Sequence, residues 1–212
     1  MPSPPNAAET NVAAVHPVIR TRHARGVIVL HWIVAVGVLV QFGLGSWMRT
    51  LPDKTGVQAS WFNLHKSIGL TVFLFVVLLI LVRLRQPAPA LPPSLPLWQR
   101  RSARVVHGLL YACVLIMPIT GYMGSSFTRF PIRYFGYALL NYWGWESAEL
   151  KALCSLVHLS TVVLFMALVA LHIVAALWHL ARRDGVFQRM GPAGARSTSV
   201  FPSPAPSSAA TR

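Results

Sequence analysis

Residues 152–181 read ALCSLVHLSTVVLFMALVALHIVAALWHLA, thirty residues without an Asp, Glu, Lys or Arg. About 20 apolar residues suffice to cross a bilayer as a helix, so this run reads as a membrane span. It carries histidines at 158, 172 and 179. The fourteen residues from His158 to His172 correspond to about 21 Å along a helix axis and an offset of only about 40° around it. Both imidazoles therefore lie on one stripe, one in each half of the membrane.

Three more stretches have the same character: Val27–Met48, Phe62–Val82 (broken only by Lys66) and Val105–Thr128. Across 212 residues, 54% are hydrophobic and 11% charged, against about 25% charged in ordinary soluble domains. A soluble enzyme, a disordered chain and a secreted disulfide scaffold are excluded. The expected fold is an all-α membrane protein, a four-transmembrane-helix bundle over residues 25–190. Residues 1–24 read as a flexible cytoplasmic segment and residues 191–212 as a disordered cytoplasmic tail. Cys113 and Cys154 lie in or beside apolar runs and form no CxxC motif, so neither a disulfide nor a zinc framework is expected.

The 19 basic residues against 5 acidic give a net charge of +14. In a soluble protein that excess would suggest nucleic acid; beside membrane spans it sets orientation, and no nucleic-acid partner is expected. Thirteen of the basic residues fall in the N-terminal segment, the second connection and the C-terminal segment, and six in the other two connections. The positive-inside rule puts both termini in the cytoplasm. Pro2, Pro4 and Pro5 stand where a signal peptide would be basic, so the first span reads as an anchor, not a cleaved leader. Gln86–Pro96 holds five prolines and should be extended. Arg129–Lys151 is dense in aromatic residues and suits a short interfacial helix.

Ionisable residues inside spans default to functional roles, and six of the eight histidines lie in or at the edge of a span. His31 and His172 fall at similar depth on the cytoplasmic side, and His65 and His158 at similar depth on the outer side. Each couple joins two different helices. Two imidazoles per level suit haem, whose iron takes one from each face; zinc would want three or four ligands converging at one depth. Gly69, four residues after His65, would let a porphyrin edge approach; Gly43, Gly45 and Gly121 could serve likewise, or serve helix packing alone. His107 is level with the inner couple and competes with His31 as a ligand, or binds a haem propionate or a quinone oxygen. His179 reads as interfacial, and His16 and His23 as surface residues. A transporter using its histidines as metal or proton relays is the non-haem alternative.

From Thr21 to Pro192 the chain resembles the bacterial cytochrome b561 family, four-helix di-haem membrane cytochromes. The resemblance rests on Arg25, His31-Trp32, the stretch Asn63-Leu64-His65-Lys66-Ser67-Ile68-Gly69, the Pro-rich loop, and His107-Gly108-Leu109-Leu110-Tyr111 leading to Pro118-Ile119-Thr120-Gly121. It continues with His158, His172 and Arg189-Met190-Gly191-Pro192. It implies two haem b groups (iron protoporphyrin IX), ligated by His31 with His172 and by His65 with His158, in a bacterial inner membrane. Similar members include a superoxide oxidase that delivers electrons to ubiquinone. Relatives on the same helices are haem-bearing anchor subunits of hydrogenases and formate dehydrogenases, which would make a redox protein the partner. The outer connections carry six basic residues against Asp53, Glu146 and Glu149, a cationic mouth that would steer superoxide. Lys66 is the candidate catalytic residue there, with neutralisation of the outer haem's propionates as its alternative role.

Overall fold

The computed structural model describes residues 22–53, 55–86, 88–89, 95–139 and 145–191. Four helices dominate: α1 (Arg25–Met48), α2 (Gly56–Arg85), α3 (Leu97–Ser126) and α4 (Ala148–Arg182). Each is long and apolar enough to cross a membrane. All four outrun the charge-free stretches that mark them, because a helix need not end where the hydrocarbon does. α3 in particular starts at Leu97, directly after Pro96, and carries Arg100, Arg101 and Arg104 in its first turns. Two starts are capped by side chains that accept backbone N–H bonds: Thr55 from Gln58 and Ser147 from Leu150. α4 ends on Arg183 in the left-handed region, with φ 52°.

The helices form two hairpins, α1 against α2 and α3 against α4, joined by a lighter contact between α2 and α3. Among the described residues no Cα of α1 comes within 8 Å of one in α3 or α4, and none of α2 within 8 Å of α4. Between the first pair Gly37 permits close approach, since a Cβ there would stand 2.6 Å from Val72 Cγ2. The space between the hairpins is closed midway by buried Val38, Cys113, Phe165 and Leu168, packed on by Val34, Phe42, Val72, Leu110 and Met117. Phe42 and Phe165 meet edge to face at 5.5 Å. Outward-facing apolar side chains such as Val36, Leu84, Val163 and Val174 are largely exposed, as lipid-facing residues are.

The described part of the connection after α3 differs from the expected interfacial helix. Residues Ile132–Tyr134 (β1) and Tyr137–Leu139 (β2) pair antiparallel around Phe135 and Gly136, which have φ 45° and 96°. Positive φ at both central residues is the two-residue turn that matches strand twist. Aromatic and β-branched residues suit these strands as well as an interface. Ser67 on α2 fastens the hairpin, donating to Arg133 O and accepting from Phe135 N at 3.0 Å. Thr71 and Tyr134 join their hydroxyls at 3.1 Å.

The opposite end of the bundle gathers both ends of the described chain. Trp32 Nε1 donates to Met190 O, Arg22 Nη2 to Gly191 O and His23 N to Arg189 O. His23, expected on the surface, is half-buried and meets Arg83 Nη1 at 2.9 Å. Burial, with the guanidiniums of Arg83 and Arg189, pushes its pKa down to about 4. Residues 22–24 and 191 are thus tied down, although the sequence assigns them to flexible ends. The rest of those segments, His16, Lys54, Pro87, Pro92, Pro93, Tyr142, Trp143 and Pro192 lie outside the described residues.

Ser67→Ala leaves the Phe135 amide without its acceptor and should cost about 1–3 kcal/mol. Thermal unfolding, together with faster hydrogen exchange confined to residues 132–139, checks this.

Candidate cofactor site

The imidazoles meet across the space between the hairpins. Toward the end that holds both described termini, His172 of α4 faces His31 of α1 at a ring-centre distance of 6.3 Å and His107 of α3 at 5.3 Å. His31 Nδ1 is buried without a hydrogen-bond partner. Toward the β-hairpin end, His65 of α2 and His158 of α4 are near enough to interact electrostatically, and His65 Nδ1 is likewise buried and unpartnered. Among the described residues no three His, Cys, Asp or Glu side chains converge as a metal centre. The imidazoles therefore stand in two tiers.

α3 supplies the setting of His158. Its Nδ1 lies 3.0 Å from Met117 O and 3.2 Å from Thr120 Oγ1. A carbonyl can only accept, so Nδ1 carries the proton and Nε2 keeps its lone pair free for a metal. Met117 immediately precedes Pro118, the one proline inside α3. A Cβ on Gly121 would come 3.3 Å from His158 Cε1. The stretch 117–121 is thus a cradle for this ring: carbonyl, hydroxyl, then open space.

The other imidazole of that tier has a lighter support. A Cβ on Gly45 of α1 would lie 3.5 Å from His65 Cε1, and Gln41 Nε2 donates to His65 O at 2.9 Å. Gly69 leaves its space to Gln41, whose Nε2 a Cβ would meet at 2.6 Å. Gly43 has open surroundings. His179 pairs with Asp184 at 2.6 Å, away from both tiers in sequence and partner. Lys66 is partly buried and feels the charge of Lys151 across the mouth of the bundle. Gln41, Thr120 and the Met117 carbonyl escaped sequence reasoning as contacts of the histidines. The Pro118–Gly121 motif was the only available signal for two of them.

Comparison with known proteins decides what these tiers belong to. The family described as "Prokaryotic cytochrome b561" matches residues 22–193. The chain belongs to the prokaryotic cytochrome b561 family. It is 25% identical to Cytochrome b561 homolog 1 of Escherichia coli K12 over 177 residues, 81% of this chain and 97% of that protein. To Cytochrome b561 homolog 2 of the same organism it is 36% identical over 107 residues, half of this chain and 57% of that protein. As a cytochrome b561 it is a multi-pass membrane electron carrier, and the family implies haem b.

The residues present fit that group. Metal–imidazole bonds of about 2 Å on each side of one iron, plus about 1 Å from each nitrogen to its ring centre, set ring centres about 6 Å apart. The His31–His172 separation of 6.3 Å meets that span, while 5.3 Å for His107–His172 is shorter. His31 and His65 make no hydrogen bond to protein through Nδ1, so neither ring is committed to a protein partner there.

Gly121→Leu, which crowds the His158 ring, should destabilise the protein by about 1–3 kcal/mol. Gly43→Leu, with nothing near its Cβ, should leave the thermal midpoint unmoved, and parallel melting curves test the contrast.

Proposed function

We propose that this cytochrome carries two haem b groups, one ligated by His31 and His172 and the other by His65 and His158, with His107 beside the first as a non-ligand. The observation that carries the reading is the two-tier arrangement of imidazoles borne by α1, α2 and α4, with the Cα atoms of α4 more than 8 Å from those of α1 and α2. Bound haem supplies one-electron storage between ferric and ferrous iron. The chain's residues do the rest. Met117 O and Thr120 hold His158 in the tautomer that offers Nε2; Gly45 and Gly121 leave room for the rings; the Val38–Phe165 layer keeps water from joining the tiers.

The protein takes electrons at its β-hairpin end and delivers them to a quinone, ubiquinone being the best candidate. The donor that fits is superoxide. Each superoxide would lose one electron and leave as dioxygen; two electrons and two protons convert quinone to quinol. Support comes from the charge of that end, where Lys66, Lys151 and Arg133 outweigh the local acids. A surface depression of about 250 Å³, lined by Ser60, Asn63, Leu64, Ser67, Arg133, Phe135 and Gly136, places one of these cations, Arg133, at the same end. A cationic mouth raises the encounter rate of a small anion, and Lys66 is the residue proposed to meet it. The termini are proposed to face the cytoplasm, with the β-hairpin on the outer side of a bacterial inner membrane.

Haem quantification on purified protein tests the ligand set. His31→Ala and His172→Ala should each remove the same haem, His65→Ala and His158→Ala the other, and His107→Gln neither. Optical redox titration identifies which component is lost. Rapid mixing with superoxide tests the donor: reduction should slow several-fold on Lys66→Gln and with rising salt. A rate indifferent to both would overturn the steering. A preparation that ignores superoxide but reduces in the presence of a co-purifying hydrophilic protein would favour an anchor-subunit role.

A further inference from the structure

Gln41 is the only carboxamide side chain in α1, and it stands among the apolar residues of a membrane span. In hydrocarbon such a group is costly unless its donors and acceptors find partners. One half of the amide is accounted for. Its Nε2 donates to His65 O on α2 at 2.9 Å, and because a carbonyl only accepts, this contact fixes which end of the amide faces α2. The other half is not: Oε1 is buried and accepts from no donor among the described residues.

Two glycines make room for this arrangement. Gly69, one turn after His65, leaves the space that the amide occupies, since a Cβ there would stand 2.6 Å from Gln41 Nε2. Gly45, one turn after Gln41, leaves the space of the His65 ring, with a Cβ 3.5 Å from Cε1 and 3.9 Å from Nδ1. α1 and α2 thus interlock large against small at successive turns, Gln41 over Gly69 and His65 over Gly45. The amide and the imidazole share one interface, and each brings to it an uncommitted buried atom: Oε1, an acceptor, and Nδ1.

An imidazole that binds a metal through Nε2 carries its proton on Nδ1, and that N–H almost always finds an acceptor. His158, the other ring of this tier, has Met117 O and Thr120 Oγ1 for the purpose. His65 has no recorded acceptor among the described residues, and Gln41 Oε1 is the spare one at its interface.

We propose that Gln41 is a positioning residue for the tier of His65 and His158: its Oε1 accepts, directly or through one water, the Nδ1–H of a metal-bound His65. This deepens the function above and rests on the ligand assignment made there. Accepting that proton makes the imidazole a stronger donor to ferric iron, so Gln41 lowers the electron affinity of the haem in this tier. Gly69 acts at one remove, by leaving the amide its place.

The test uses full-length protein loaded with haem, in nanodiscs. In Gln41→Leu the electron affinity of one haem should rise about tenfold, or about 59 mV for a one-electron couple, with the other haem unmoved. Gly69→Ala, which pushes the amide aside without removing it, should shift the same haem in the same direction. Adding it to Gln41→Leu should change nothing further. With ¹⁵N-labelled histidine, the imidazole bands in redox-difference infrared spectra should move in both single variants, because they report the hydrogen bond on the ring nitrogen. Potentials unchanged in both single variants would overturn the proposal. So would a potential that shifts while the labelled bands stay fixed, or a shift shared by both haems, since either marks a general loosening of the α1–α2 packing. Should Gln41→Leu lose haem, Gly69→Ala decides by the same spectra. A His65→Ala protein that keeps both haems would instead refute the ligand assignment, a result read from haem content alone.

Discussion

The structure depends on a separation. α1 and α4 carry imidazoles toward each other, yet their backbones stay more than 8 Å apart along the described length. Close helix packing, helped by small residues such as Gly37, is spent mainly within each hairpin, with a lighter contact of α2 on α3 between them. What bridges the hairpins is side chain: rings at two depths and an apolar layer between. A bundle packed uniformly tight would leave no width for a flat cofactor; one packed uniformly loose would not hold the rings in register. The division of labour between intra-hairpin and inter-hairpin contacts resolves that conflict.

The rings differ in how the chain holds them. His158 has the fullest support, a carbonyl and a hydroxyl from α3 on one nitrogen. His31 and His65 have one buried nitrogen each with no protein partner. Hydrogen bonding to one ring nitrogen fixes which nitrogen is left for a metal and raises its basicity, so His158 differs in kind from His31 and His65.

Much of this was legible in the sequence. Charge-free length gave the four helices, and the 100° step of a helix put His158 and His172 on one stripe before any fold was known. Spacing, however, speaks only within one element. It favoured Gly69 as the neighbour of a cofactor because that residue sits one turn from His65, whereas the space beside Gly69 is filled by Gln41 from α1; Gly45, also on α1, is the glycine against the His65 ring. The same blindness hid the partnership of Thr120 with His158, 38 residues apart, and that of Arg22 with Gly191, 169 apart. The β-hairpin was missed for another reason: its aromatic residues satisfy an interfacial helix and a short strand equally, and what decides is Ser67, reaching in from a different helix. His23 looked like a surface residue because nothing in its neighbours announces that Arg83 lies 2.9 Å away.

The apolar layer around Val38, Phe42, Cys113, Phe165 and Leu168 contains no carboxylate, imidazole or lysine. That layer itself offers protons no titratable group to step through, whereas electrons need none over such a distance. Passage between the tiers would therefore displace net charge along the membrane normal. With a haem in each tier, as proposed, such a cytochrome would feel the transmembrane voltage directly, and its redox balance in an energised cell would differ from that in detergent.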